Sequence, residues 1–85
     1  MTYTEEPVRP TWLDGLERVH RLTSREYEVF LLLVKGSSNQ ELADSLSLTE
    51  RTVRAHLTQI LQKLELGSRL EACLLSYAHS SRLHA

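Results

Sequence analysis

The sequence predicts an all-α domain of four helices built around a helix-turn-helix. Three observations carry that expectation. Pairs of the type Ser/Thr-x-x-Glu, which cap the start of a helix reciprocally, recur at Thr23/Glu26, Ser38/Glu41 and Ser68/Glu71. Val53, Leu57, Ile60 and Leu64 follow the i, i+4, i+7, i+11 spacing of an amphipathic helix. Between residues 38 and 64, two helical patterns flank a break of about three residues, Ser47-Leu48-Thr49, which is the length of a helix-turn-helix turn.

In chain order, residues 1–10 are polar, acidic and interrupted by Pro7 and Pro10, which predicts a disordered tail. Residues 11–21 predict a short helical extension, with Leu13, Leu16, Val19 and His20 on one side and Gly15 weakening it. Trp12, the only tryptophan, is expected to pack on the domain rather than to serve as a binding platform. The domain proper spans 22–79. Its first helix runs over about 23–35, with Leu22 as the stapling residue and Gly36 as the stop. This helix is apolar on two sides. Val29, Phe30 and Leu33 face the core, with Leu32 beside them. Tyr27, Leu31 and Val34 form a second stripe, which is expected to lie under residues 11–21, the alternative being a partner-binding face. The second helix, 39–46, turns Leu42, Ala43 and Leu46 inward, and Thr49 caps the third, 50–64. A last helix, 69–78, points Ala72 and Leu75 inward. It leaves Leu70, Cys73, Leu74 and Tyr77 as a strip that either forms a dimer seam or closes the core. Residues 80–85 read as a polar tail.

Composition narrows the function. Eighty-five residues make one domain, and a chain of this size buries only about 60–65% of its unfolded surface. A second copy or a partner would help it. The formal charge is −1, but 50–64 carries Arg51, Arg54 and Lys63 against Glu50 alone, a local net of +2. The single cysteine suits a reducing cytoplasm. No apolar run approaches the ~20 residues of a membrane span. Nothing resembles a glycine-rich phosphate loop, a carboxylate pair or a metal set, and His79 and His84 fall in the expected tail without ligand partners. No enzyme activity, cofactor or metal is therefore expected.

The third helix carries Arg51, Arg54, His56, Thr58, Gln59 and Lys63 away from its apolar stripe, and such side chains donate to phosphates and base edges. The stretch LTSREYEVFLLLVKGSSNQELADSLSLTERTVRAHLTQILQKLELGSRLEA resembles the DNA-binding domain of the LuxR-type, or GerE-like, bacterial regulators. The marks are Leu22-Thr23, Arg25-Glu26, Val29, Gly36, Asn39, Glu41-Leu42-Ala43, Leu46, Thr52-Val53, His56, Ile60, Lys63-Leu64, Arg69 and Ala72. The resemblance implies a four-helix, DNA-binding transcriptional regulator that acts as a homodimer. Its third helix would enter the major groove and its fourth would pair two copies. It maps base contacts onto Arg54, Ala55 and Thr58. Backbone contacts map onto Asn39, Gln40, Thr52, His56 and Lys63. With about twenty residues before Leu22, the chain resembles the free-standing type of such regulators, or a fragment.

The departures from the family pattern are Thr58 where a basic residue is common, Ser47 where glycine is frequent, and Tyr27 and Leu31 on an outer face that is usually charged. Simpler roles stand beside the implied ones: Arg54 paired with Glu50 at i, i+4, His56 half-buried in packing, and Lys63 solvated near a helix end. A dimer neutralising about six to eight phosphates gives a log–log salt slope of roughly −5 to −7. The rival reading is a protein-interaction module, an adaptor with weak or no DNA binding that docks through Tyr27, Leu31 and Val34.

Overall fold

The computed structural model describes residues 9–83. Its elements are an N-terminal 3₁₀ helix Thr11–Arg21, then α1 (Ser24–Leu32), a 3₁₀ turn Leu33–Lys35, α2 (Asn39–Leu46), α3 (Glu50–Leu64) and α4 (Arg69–Leu83). No strand is present among the described residues. The expected tail 1–10 lies almost wholly outside them, as do residues 84–85.

Each helix start follows from a local pair. Thr23 and Glu26 form a full capping box, as do Ser38 and Glu41. Thr49 accepts from the Thr52 N–H at 3.1 Å. The third expected box closes differently. Ser68 accepts from the Glu71 N–H, but the Glu71 carboxylate reaches past Ser68 to the Gly67 N–H at 2.7 Å. Gly36 ends the first helical unit in the left-handed region, φ 69°. Ser47 and Glu65 take the same conformation without glycine's freedom, at about 1 kcal/mol each.

α3 is the centre of the packing. α1, α2, α4 and the N-terminal 3₁₀ helix all lie against it. Val53, Ile60 and Leu64 are fully buried, with Leu57 half-buried beside them. Val29, Phe30, Leu33, Leu42, Ala43, Ala72 and Leu75 complete the interior, as expected. Trp12 packs against this core. Ser76, which no sequence pattern marks as buried, is fully enclosed on α4 and donates to the Phe30 carbonyl at 2.7 Å, tying α4 to the end of α1.

Two expectations need correction. The segment 11–21 is helical as expected, in the 3₁₀ form, but it covers α3 and α4 rather than the second stripe of α1. Three residues per turn align Leu13, Leu16, Val19 and Leu22 on one edge and Trp12, Gly15, Arg18 and Arg21 on the next. Trp12, Leu16, Val19 and Leu22 from these edges pack on the core, while Thr11, Glu17, His20 and Arg21 are exposed. Tyr27 is covered instead by α4: its hydroxyl lies 2.8 Å from His79 Nε2, and the two rings meet edge to face. The polar segment after residue 78 is not a separate tail as far as Leu83, because nothing in Ser80-Ser81-Arg82 stops a helix and Arg82 suits its last turn. His79 therefore sits on a packed helix.

Gly15 sets the approach of the 3₁₀ helix. A Cβ there would lie 2.6 Å from Leu75 Cδ2 and 3.4 Å from the Leu64 carbonyl, and Leu75 is fully buried, so its side chain would have to shift within the core. Gly15→Ala is therefore expected to destabilise the domain by about 1–3 kcal/mol in urea denaturation. An unchanged midpoint would mean that the segment does not dock this closely.

Candidate nucleic-acid interface

α3 has one face in the core and the opposite face in solvent. Arg51, Arg54, Ala55, Thr58, Gln59 and Gln62 are all exposed, at the i, i+3, i+4, i+7, i+8, i+11 spacing of a single stripe. Arg51 and Gln59 are expected donors on this helix that the family resemblance does not map to DNA, and Gln62 was not among the expected contacts. Their signal was present in the sequence as the register opposite Val53, Leu57, Ile60 and Leu64. Neither arginine has an ion-pair partner among the described residues; the expected alternative of an Arg54–Glu50 pair does not form. Thr58 donates its hydroxyl to the Arg54 carbonyl at 3.1 Å, which leaves its lone pairs as acceptors.

The expected backbone contacts divide into two groups. His56 is half-buried beside the stripe, and the Thr52 hydroxyl lies 2.9 Å from that of its cap, Thr49. Asn39 opens α2, where free N–H groups favour an anion. Its Oδ1 accepts from Arg69, whose other guanidinium nitrogen reaches the Ser37 carbonyl at 2.8 Å. A guanidinium only donates, so this bond fixes the Asn39 amide, whose N–H donors have no partner among the described residues. Gln40, exposed, donates to Asp44 at 3.0 Å.

Lys63 is placed differently from the expectation. Its ammonium sits 2.6 Å from the Glu26 carboxylate, which is 6% exposed. The same Glu26 oxygen accepts from the Thr23 N–H, so one carboxylate caps α1 and anchors α3 to it. Lys63 thus ties α3 to α1, and the α3 arginines and lysines without an ion-pair partner among the described residues are Arg51 and Arg54.

On α4, Leu70, Leu74 and Tyr77 are exposed at 67%, 40% and 65% and lie on one face. Cys73, expected on the same strip, turns inward and packs against the core. The Tyr27, Leu31, Val34 stripe is broken by the Tyr27–His79 contact; Val34 is its one exposed member. No helix among the described residues is long and apolar enough to cross a membrane.

Comparison with known proteins agrees with this geometry. The family described as bacterial regulatory proteins, luxR family (GerE), matches residues 20–76. Response regulator protein VraR of Staphylococcus aureus is 42% identical over 64 residues, covering 75% of this chain. The VraR proteins of Staphylococcus saprophyticus and Staphylococcus epidermidis match to the same extent. The chain spans 31% of the length of these curated relatives. A helix-turn-helix with a polar outer stripe, matched over most of its length by one family, leaves a single assignment: the chain belongs to the luxR family of bacterial regulatory proteins.

Proposed function

We propose that the chain is a sequence-specific, DNA-binding transcriptional regulator that lays α3 in the major groove and acts as a homodimer. The observation that carries this reading is the uninterrupted stripe of α3 with two unpaired arginines and no apolar residue larger than Ala55. Arg54 is suited to bond guanine O6 and N7 together. The Ala55 methyl suits contact with a thymine methyl and lets the helix lie deep. Thr58, with its donor already used, accepts from the amino group of adenine or cytosine. Arg51, Thr52, His56 and the free Asn39 amide surround these positions as backbone contacts, with Gln40 joining once it exchanges Asp44 for phosphate.

Because Lys63 is held by Glu26, each copy contributes about two fixed positive charges, and a dimer's salt slope is expected nearer −4 than −6. Leu70, Leu74 and Tyr77 form the seam. Leu74→Asp is expected to leave the monomer fold within about 0.5 kcal/mol, since the site is already exposed, while abolishing the dimer in sedimentation. A dimer that persists rules out this seam. Selection of bound sites from random duplex DNA tests the whole reading. Inverted half-sites about one helical turn apart are expected. Recovery of no preferred sequence would favour the adaptor reading instead.

A further inference from the structure

The first and last turns of a helix carry backbone groups with no partner inside it, and the last four carbonyls of α3 are all accounted for. Leu61 accepts from the Leu66 N–H at 2.9 Å and Gln62 from the Glu65 N–H at 3.2 Å. The remaining two are met from outside the helix-turn-helix. The Lys63 carbonyl accepts from Arg21 Nη1 at 3.2 Å, and the Leu64 carbonyl from Arg18 Nη1 at 3.4 Å. The same two guanidiniums grip the Glu65 carboxylate, Arg18 Nε at 2.9 Å and Arg21 Nη1 at 3.1 Å. Two cations at a helix C-terminus also oppose its negative dipole end.

We propose that the N-terminal 3₁₀ helix is a clamp on the C-terminal end of α3, with Arg18 and Arg21 as positioning residues for DNA recognition. This rests on the assignment of α3 as the DNA-reading helix. Gly15 lets the clamp close on α4, and Arg18 and Arg21 fall on its edge, one 3₁₀ turn apart. Gln62, the last member of the exposed stripe, lies within the clamped turn. Thr49 fixes the other end of the helix, so the stripe is held at both ends. Arg18 precedes the matched family region, which begins at residue 20.

Glu65→Lys in the full chain separates this role from simple charge. Replacing an acid by a base raises the positive charge and, by counterion release alone, strengthens DNA binding. The clamp gives the opposite sign. Affinity for the best selected duplex is expected to fall about tenfold, as repulsion frees the last turn of α3, while affinity for random-sequence duplex holds or rises. Arg18→Ala is expected to weaken the selected duplex similarly with the salt slope unchanged. A slope shallower by about one would make Arg18 a direct phosphate contact and overturn the proposal. So would unchanged or tighter specific binding by Glu65→Lys. Amide exchange gives a reading without DNA. In Arg18→Ala the Glu65 and Leu66 amides are expected to exchange several-fold faster while those of Val53–Leu57 do not; equal acceleration of both overturns the clamp. A wild-type chain that selects no duplex would refute the DNA-reading assignment, and the exchange experiment alone would then decide whether the clamp exists.

Discussion

Replacing Glu26 with alanine is expected to lower the stability of the domain by about 2–4 kcal/mol. One oxygen of this carboxylate accepts from the Thr23 N–H at 2.9 Å and from the Lys63 ammonium at 2.6 Å. The Thr23 hydroxyl still caps the helix, and loss of the hydrogen bond from the Thr23 N–H alone costs about 1 kcal/mol. The rest comes from leaving Lys63 without a counter-charge, moderated because its side chain is 29% exposed and can partly rehydrate. For 85 residues the whole folding free energy is of the order of 4–13 kcal/mol, so this single change removes a large share of it. Urea denaturation measures it directly. A shift below about 0.5 kcal/mol, the range of ordinary surface changes, would mean that the α1–α3 ion pair does not form in solution.

The same group makes stability depend on pH in a defined direction. Burial by itself works to raise the Glu26 carboxyl, but the Lys63 hydrogen bond, the Thr23 N–H and the Lys63 charge outweigh it and hold the group below its ordinary 4.5. The unfolded chain then binds the proton more readily. The contribution is complete above pH 4.5 and is lost as pH falls through the lower folded value. Glu41, held down by the Ser38 N–H and hydroxyl, acts in the same sense. His79 is also held below its ordinary 6.5, first by burial and then by the Arg82 charge, so its contribution begins to fade once pH drops below 6.5. Stability is therefore expected to decline in two stages on acidification. In Glu26→Ala the second stage shrinks, and the gap to the unsubstituted chain narrows in acid.

The second large effect is on recognition. Arg54→Ala is expected to leave folding within about 0.5 kcal/mol, because the side chain is exposed and makes no ion pair. The bond from Thr58 goes to the Arg54 main-chain carbonyl and survives the substitution. What is lost is one bidentate base contact, about 1–3 kcal/mol of discrimination, or roughly 5- to 150-fold at one base pair of each half-site. Repeating the site selection with the variant reads this as degeneracy at that position alone. If Arg54 only neutralised a phosphate, affinity would instead fall evenly across sequences and the salt slope would become shallower by about one.

What the sequence makes legible is what is local. The capping pairs lie three residues apart, and the α3 stripe repeats every three or four, so both are visible in the bare chain. The contacts that reassign residues are long-range. Lys63 meets Glu26 across 37 positions, Arg69 meets Asn39 across 30, and Tyr27 meets His79 across 52. No periodicity announces those partners, and so Lys63 read as a free cation and His79 as part of a tail. Cys73 and Leu74 are neighbours on one helix, and only the packing decides that the first faces the core and the second solvent. The 3₁₀ helix is an intermediate case. Leu13, Leu16, Val19 and Leu22 recur strictly every three residues, which is its own period. So long a run is uncommon because its hydrogen bonds are poorer, and here tertiary bonds from Arg18 and Arg21 support it. Gly15, which weakens an isolated helix, is what permits the docking.

The most direct measurement is an amide chemical-shift titration of the full chain with a duplex recovered by site selection, at low ionic strength. The largest changes are expected along Arg51, Arg54, Ala55, Thr58 and Gln59, with the buried Val53 and Ile60 following less. Shifts that leave α3 untouched while the duplex binds elsewhere, or no shifts with any duplex, would contradict the assignment of α3 as the DNA-reading helix.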